Sequence, residues 1–145
     1  MANNPAPLRA QIDTYVILDW LFGRQPWADE ARELWRAQGD VLLVGYVPAS
    51  SVTDIFYIAR RLKDNDTAFA SIDRVFASLE IVPVDDAILR TARTFPGIDF
   101  EDNVQIACAQ SAKLDLIVTR NTSDFAHALI PAIEPSGIVT YLNRP

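Results

Sequence analysis

The chain has 145 residues, half of them hydrophobic and 22% charged, with a net charge of −6. That length and balance suit one globular domain with a real core, argue against disorder, and leave no apolar run long enough to span a bilayer. The acidic balance argues against a protein that coats nucleic acid through a basic surface, and one cysteine (Cys108) with one histidine (His127) excludes both a disulfide framework and a zinc site. With no basic-then-apolar leader at the start, the expected location is cytoplasmic.

Residues 1–7 are polar and proline-bearing and are expected to form a flexible arm ahead of one domain over residues 8–145. Leu8–Asp13 alternates weakly, Leu8, Ala10 and Ile12 against Arg9 and Gln11, and is expected to be a first strand. Thr14 then caps a helix over TYVILDWLF that Gly23 closes. Pro26 sits just inside a second helix, with Trp27, Ala31, Leu34 and Trp35 on one face. Val41–Val47 is a continuous apolar run, the mark of a strand buried on both faces. Ser50 or Ser51 opens a third helix with Val52, Ile55, Phe56 and Ala59 inward. Asp64–Leu79 forms a fourth, with Phe69, Ile72, Val75 and Phe76 inward.

Leu79–Val84 is a short strand interrupted by a proline. Asp85 caps a fifth helix that Pro96-Gly97 ends. A helix follows from about Asp102 to Ala112, then a strand from Leu114 to Thr119, a polar turn, a short helix near Asp124, and a last strand over Ile138–Leu142. Alternating strands and helices imply right-handed crossovers. The expected fold is α/β, an αβα sandwich with a mostly parallel central sheet of four to five strands.

In such a sheet, ligands bind beyond the carboxyl ends of the strands. Asp13 lies where the first strand passes into a helix. Asp54 lies one turn into the helix after the second strand, in apolar company and at a position where Asp is a poor helix former. Asp102 opens the helix before the fourth strand, and Asn121 and Asp124 lie in the turn after it. Taken singly, an aspartate at a helix start is usually a cap. Asp85 and Asp86 read as caps, and Asp64, Asp66 and Glu101 as surface. Carboxylates that met without partners would repel and their pKa values would rise unless a cation intervened. Hard oxygen ligands select Mg²⁺ or Mn²⁺, and such a metal lowers the pKa of a water and polarises a phosphoryl oxygen.

Three segments, IDTYVILDWLFGRQPW, VPASSVTDIFYIARR and DFEDNVQIACAQSAKLDLIVTRNTSDF, occur in an order and at spacings similar to the PIN-domain family, and within it to the VapC-type toxins of toxin–antitoxin pairs. The resemblance runs from about Ile12 to Leu142. It implies a metal-dependent endoribonuclease with an acidic triad of Asp13, Asp54 and Asp102, of which Asp13 and Asp102 are the expected direct metal ligands. Asn121 stands where many members carry a fourth acid, and Asp124 is the expected substitute. Thr14, Thr119 and Arg120 are the expected substrate-binding residues. Tyr15 replaces the asparagine that usually follows D-T, and cannot copy its amide geometry. The resemblance also implies an RNA substrate, an antitoxin partner and a homodimer.

Arg60, Arg61 and Lys63 complement the end of the third helix more readily than they bind RNA. Trp20, Trp27 and Trp35 pack helix on helix, although Trp20, Phe22 and Trp27 could line a groove for a partner. The rival reading is a catalytically weak or silent PIN-like module that binds RNA or protein. A phosphatase on a related sheet is disfavoured: Tyr15 stands where its second aspartate belongs, and no phosphate-gripping glycine loop is present.

Overall fold

A computed structural model describes residues 5–144. Of the expected arm, residues 1–4 lie outside the described residues, and Pro5–Pro7 leads without regular structure into β1 (Leu8–Ile12). The elements that follow are α1 (Thr14–Phe22), α2 (Ala28–Gly39), β2 (Leu43–Pro48), α3 (Ala49–Leu62), α4 (Asn65–Ser78), β3 (Glu80–Val82) and α5 (Asp86–Arg93). Then come α6 (Phe100–Ser111), β4 (Leu116–Val118), a 3-10 turn (Thr122–Phe125), β5 (Ala132–Ile133), a second 3-10 turn (Pro135–Gly137) and α7 (Ile138–Leu142). No helix among the described residues is long and apolar enough to cross a membrane.

The five strands form one parallel sheet in the order β3-β2-β1-β4-β5. The chain leaves β1 toward β2 on one side and later returns to place β4 on the other. The crevice at the carboxyl ends of β1 and β4 is therefore the topological switch point, where open α/β sheets bind ligands. Ile12 pairs with Val118 there, and the Asp13 amide donates to the Val118 carbonyl at 2.9 Å.

The polar residues of β1 have partners that local pattern could not show. Gln11, fully buried, donates its side-chain amide to the Gln105 carbonyl, and Arg9 Nε reaches the Tyr46 hydroxyl on the neighbouring strand at 3.1 Å. The main core lies where β1, β2 and β4 meet α1, α2 and α3, around Ile12, Ile17, Leu34, Val47, Ile55 and Val118. Trp20 and Trp35 stack at 4.1 Å and join that core from its edge, so they serve helix packing. Cys108 is buried beside α5, and burial pushes its thiol up to about 12, which makes it inert.

Several boundaries differ from expectation for local reasons. Asp13, not Thr14, holds the cap position of α1. Pro26 stands outside α2, which begins at Ala28. Strand β2 starts at Leu43 because the Val41 and Leu42 amides close α2, donating to Gln38 and Ala37 carbonyls at 3.0 Å, with Val41 left-handed at φ 59°. Lys113, at φ 54°, ends α6 in the same way and delays β4 to Leu116.

On α4 the inward face is Ala68, Ser71 and Val75, with Ile72 packed at the core's edge. Phe69 and Phe76, expected inward, are 62% and 59% exposed. Phe69 instead sets its ring edge-on against Phe56 of α3, with centroids 4.9 Å apart.

The expected last strand is a helix. Pro131 and Ile133 carbonyls already accept the Ile117 and Thr119 amides, so the free edge of β4 is filled by the short β5. Pro135 then turns the chain, and Ile138 inserts into the core as the first residue of α7.

Gly45 in β2 is set by packing. A Cβ there would lie 2.6 Å from Leu79, 2.7 Å from Gln38 Oε1 and 2.8 Å from Ile12. Gln38 cannot give way freely, because it accepts from the Gly45 amide and donates to the Ser78 carbonyl, both at 2.7 Å. Gly45→Ala is expected to destabilise by about 1–3 kcal/mol, read as a lower midpoint in thermal unfolding. An unchanged midpoint would show that the pocket around Gly45 yields.

Candidate active site

The cap position of α1 shows where Asp13 differs from an ordinary cap. Its side chain makes no capping hydrogen bond to the helix. Instead its two oxygens are held from elsewhere: Gln105 Nε2 donates to Oδ1 at 3.0 Å, and Thr119 Oγ1 donates to Oδ2 at 2.9 Å. Thr119 in turn accepts the Asn121 amide at 3.1 Å, which ties the turn after β4 to the end of β1. The cap of α6 is Asp99, whose carboxylate accepts the Asp102 amide at 3.1 Å. Asp102 therefore stands in the first helical turn with no capping duty.

One cleft at the switch point is lined by Asp13, Thr14, Tyr15, Asp54, Asp99, Glu101, Asp102, Asn121 and Asp124, along with Ile58 and Phe125. All five residues expected to be catalytic are thus brought together. Of the three expected substrate-binding residues, only Thr14 lines the cleft. Thr119 is fully buried and acts on Asp13. Arg120 is not among the lining residues: its guanidinium lies over the rings of Tyr15 at 5.8 Å and Trp27 at 3.7 Å, and its charge still steadies ionised Asp13.

Glu101, expected on the surface, is the main correction. It lines the cleft, and Gln105 Nε2 reaches its carboxylate at 3.0 and 3.1 Å. One amide nitrogen thus holds both Glu101 and Asp13. Asp99, Glu101 and Asp102 can each offer an oxygen within 4.8 Å of the other two.

A family model described as PIN domain matches residues 9–123. The chain belongs to the PIN-domain family. No curated protein matches it by sequence. Among solved structures, the DNA-bound VapBC of Salmonella typhimurium is 17% identical, with a TM-score of 0.67 over 88% of this chain and 97% of that one. A toxin–antitoxin complex from Klebsiella pneumoniae is 20% identical, with a TM-score of 0.64 over 87% and 97%. VapC20 of Mycobacterium tuberculosis, described as a sarcin-ricin loop cleaving toxin, is 13% identical, with a TM-score of 0.62 over 74% and 86%. At these identities the likeness is one of fold.

The electrostatics of this PIN domain follow from its geometry. Burial raises the Asp13 carboxyl, opposed by its bonds from Gln105 and Thr119. Burial, then the charges of Asp13, Asp102 and Asp54, push Glu101 up to about 7. Burial, then Asp99, Asp13 and Asp124, push Asp102 up to about 6, and burial raises Asp54. The donor set is all oxygen, which suits a hard divalent cation. Thr14 Oγ1, buried at the cleft with no hydrogen-bond partner, is consistent with a ligand completing the site.

A stability dependence follows. Glu101 and Asp102 bind protons more tightly folded than unfolded, so their contribution is fully present below their ordinary values of 4.5 and 3.8 and is lost as pH rises through about 7 and about 6. Metal-free protein is expected to melt at a lower temperature at pH 8 than at pH 5. The difference is on the order of 2 kcal/mol once solvent screening of these part-exposed groups is counted. A divalent cation should reverse it, raising the midpoint more at pH 8 than at pH 5. Melting curves with the same midpoint at both values, with and without metal, would contradict the reading of the cleft as a charged metal site.

Sequence reasoning missed Glu101, Asp99, Gln105 and Asp19. Asp19 is 1% exposed on α1 and meets Arg24 Nε at 3.0 Å and Arg120 Nε at 3.1 Å. Its signal was available: an acid inside the apolar run VILDWLF needs a partner when buried.

Proposed function

We propose that this PIN domain is a Mg²⁺- or Mn²⁺-dependent endoribonuclease and the toxin of a toxin–antitoxin pair. The observation that carries the nuclease reading is the meeting of Asp13, Asp54, Glu101, Asp102 and Asp124 in one cleft with no basic side chain among its lining residues. Carboxylates so gathered destabilise the fold unless a cation joins them.

Asp13 and Asp102 are the residues that would hold the ion, and Asp99 and Glu101 can each bring an oxygen within 4.8 Å of Asp102. When bound, the cation supplies positive charge against the phosphodiester and lowers the pKa of a water. The chain's part is placement. Gln105 and Thr119 fix both oxygens of Asp13 and leave each a lone pair for the ion, and Gln105 keeps Glu101 at a set distance from Asp13. Asp54, reaching in from α3, is the group placed to orient a water. Asn121 and Asp124 border the cleft from the turn after β4, and the neutral amide of Asn121 limits the charge available for a second ion.

The toxin reading is supported by likeness in fold to the Klebsiella toxin–antitoxin complex and by the order of the three motifs. On that reading the chain acts in the cytoplasm, pairs as a homodimer and is restrained by an antitoxin.

The test is cleavage of RNA by purified protein with Mg²⁺ or Mn²⁺, alongside Asp102→Asn. Wild-type cleavage that needs metal and is lost in the variant is the expected result. Equal residual cutting by both proteins would point to a contaminant and favour a binding module without useful catalysis.

A further inference from the structure

An acidic cleft has to hold a polyanionic strand, and none of its lining side chains is basic. Positive charge lies close to one lining residue, Tyr15, on Arg24 and Arg120. We propose, resting on the nuclease reading above, that Tyr15 is a stacking platform for one unpaired base of the substrate, and that Arg24 and Arg120 beside it hold an adjacent phosphate.

Tyr15 sits in the first turn of α1, two residues after Asp13, lines the cleft and is 48% exposed. Asp13 is held by Gln105 and Thr119, so residue 15 is free of the task of fixing it. The guanidinium carbons of Arg24 and Arg120 lie 5.9 and 5.8 Å from the Tyr15 ring centroid, and that of Arg120 lies 3.7 Å from Trp27. Buried Asp19 meets each arginine through Nε, at 3.0 and 3.1 Å. The terminal nitrogens of both forks therefore remain as donors for a second anion, and the trio keeps one net positive charge. Two fixed arginines and an exposed ring, beside carboxylates able to hold a metal, match the needs of a nucleotide: a π-face for the base and a fork for the phosphate.

Stacking on a ring tolerates any base but requires the base to be unpaired. The substrate class is accordingly single-stranded or loop RNA, with duplex RNA excluded.

The test uses the full chain with Mn²⁺, a labelled single-stranded RNA, its duplex form, and the same strand carrying one abasic position at a time near the cut. Tyr15→Ala is expected to raise KM for the single strand by about 5- to 100-fold. Its kcat should stay within about threefold of wild type, and its Mn²⁺-induced shift in melting midpoint should be unchanged. Tyr15→Phe is expected to restore KM. One abasic position should raise KM for wild type and add nothing in Tyr15→Ala. Wild-type cleavage with KM unmoved in Tyr15→Ala, or cleavage of duplex as good as of single strand, overturns the platform and leaves the nuclease standing. Absence of any metal-dependent cleavage by wild type overturns the nuclease reading and the platform with it.

Discussion

Asp13→Asn is expected to lower RNA cleavage by roughly three orders of magnitude, the scale on which a group that sets charge at a reacting centre is felt. The substitution tests chemistry rather than folding. Asn matches Asp in shape, and its Oδ1 still accepts from Gln105 Nε2. Its amide nitrogen then faces Thr119 Oγ1, which can accept a second proton beside the Asn121 amide it already accepts. What is lost is the partner of the Thr119 hydroxyl proton, a cost of about 1 kcal/mol. Offsetting it is relief of a charge that burial disfavours. The metal-free variant should therefore melt close to wild type, and Mn²⁺ should no longer raise its midpoint. Near-wild-type cleavage would show that Asp13 holds no ion. A variant that fails to fold would instead show that the Gln105–Asp13–Thr119 chain is structural, and retained Mn²⁺ stabilisation would place the ion on Asp99, Glu101 and Asp102 alone.

How much of this site could be read from the chain follows from how local each signal is. Asp13 and Asp102 stand at strand and helix ends, and alternation of elements is enough to bring such ends to one edge. Asp54 stood out because an acid beside an apolar helical stripe is locally unfavourable. Glu101 and Gln105 carry no such mark. They are one turn apart on α6, an ordinary polar pair in sequence, and acquire meaning only when β1 arrives with Asp13 and Gln11. The same holds for the last strand. IVTYL has strand-forming residues, but whether an edge is open for it depends on the two residues of β5, which have almost no pattern of their own. On α4 the rings of Phe69 and Phe76 fit the helical period, yet the helix turns Ala68, Ser71 and Val75 inward. Local preference set the elements; contacts between distant segments decided which carboxylates face one another.

Asp19→Ala is expected to destabilise the protein by about 3 kcal/mol, the lower end of the range for breaking a buried ion pair by removing one partner. The lower end applies because the two arginines, with side chains 29% and 20% exposed, can still turn partly to water. The loss still exceeds that of a surface pair, since one carboxylate at 1% exposure answers two guanidiniums and its removal leaves like charges facing each other beside Tyr15. Arg24→Ala should cost less, because the Arg120 charge still offsets Asp19 in that variant. The double variant should then cost less than the sum of the two single losses, the mark of residues acting as a unit. Thermal or urea unfolding of the four proteins measures this coupling. Additive losses, or a loss below about 1 kcal/mol for Asp19→Ala, would mean that Asp19 does not fix the arginines and that Tyr15 stands without a held phosphate partner. A large, non-additive loss together with a raised KM for single-stranded RNA would tie the stability of α1 to substrate binding through this one carboxylate.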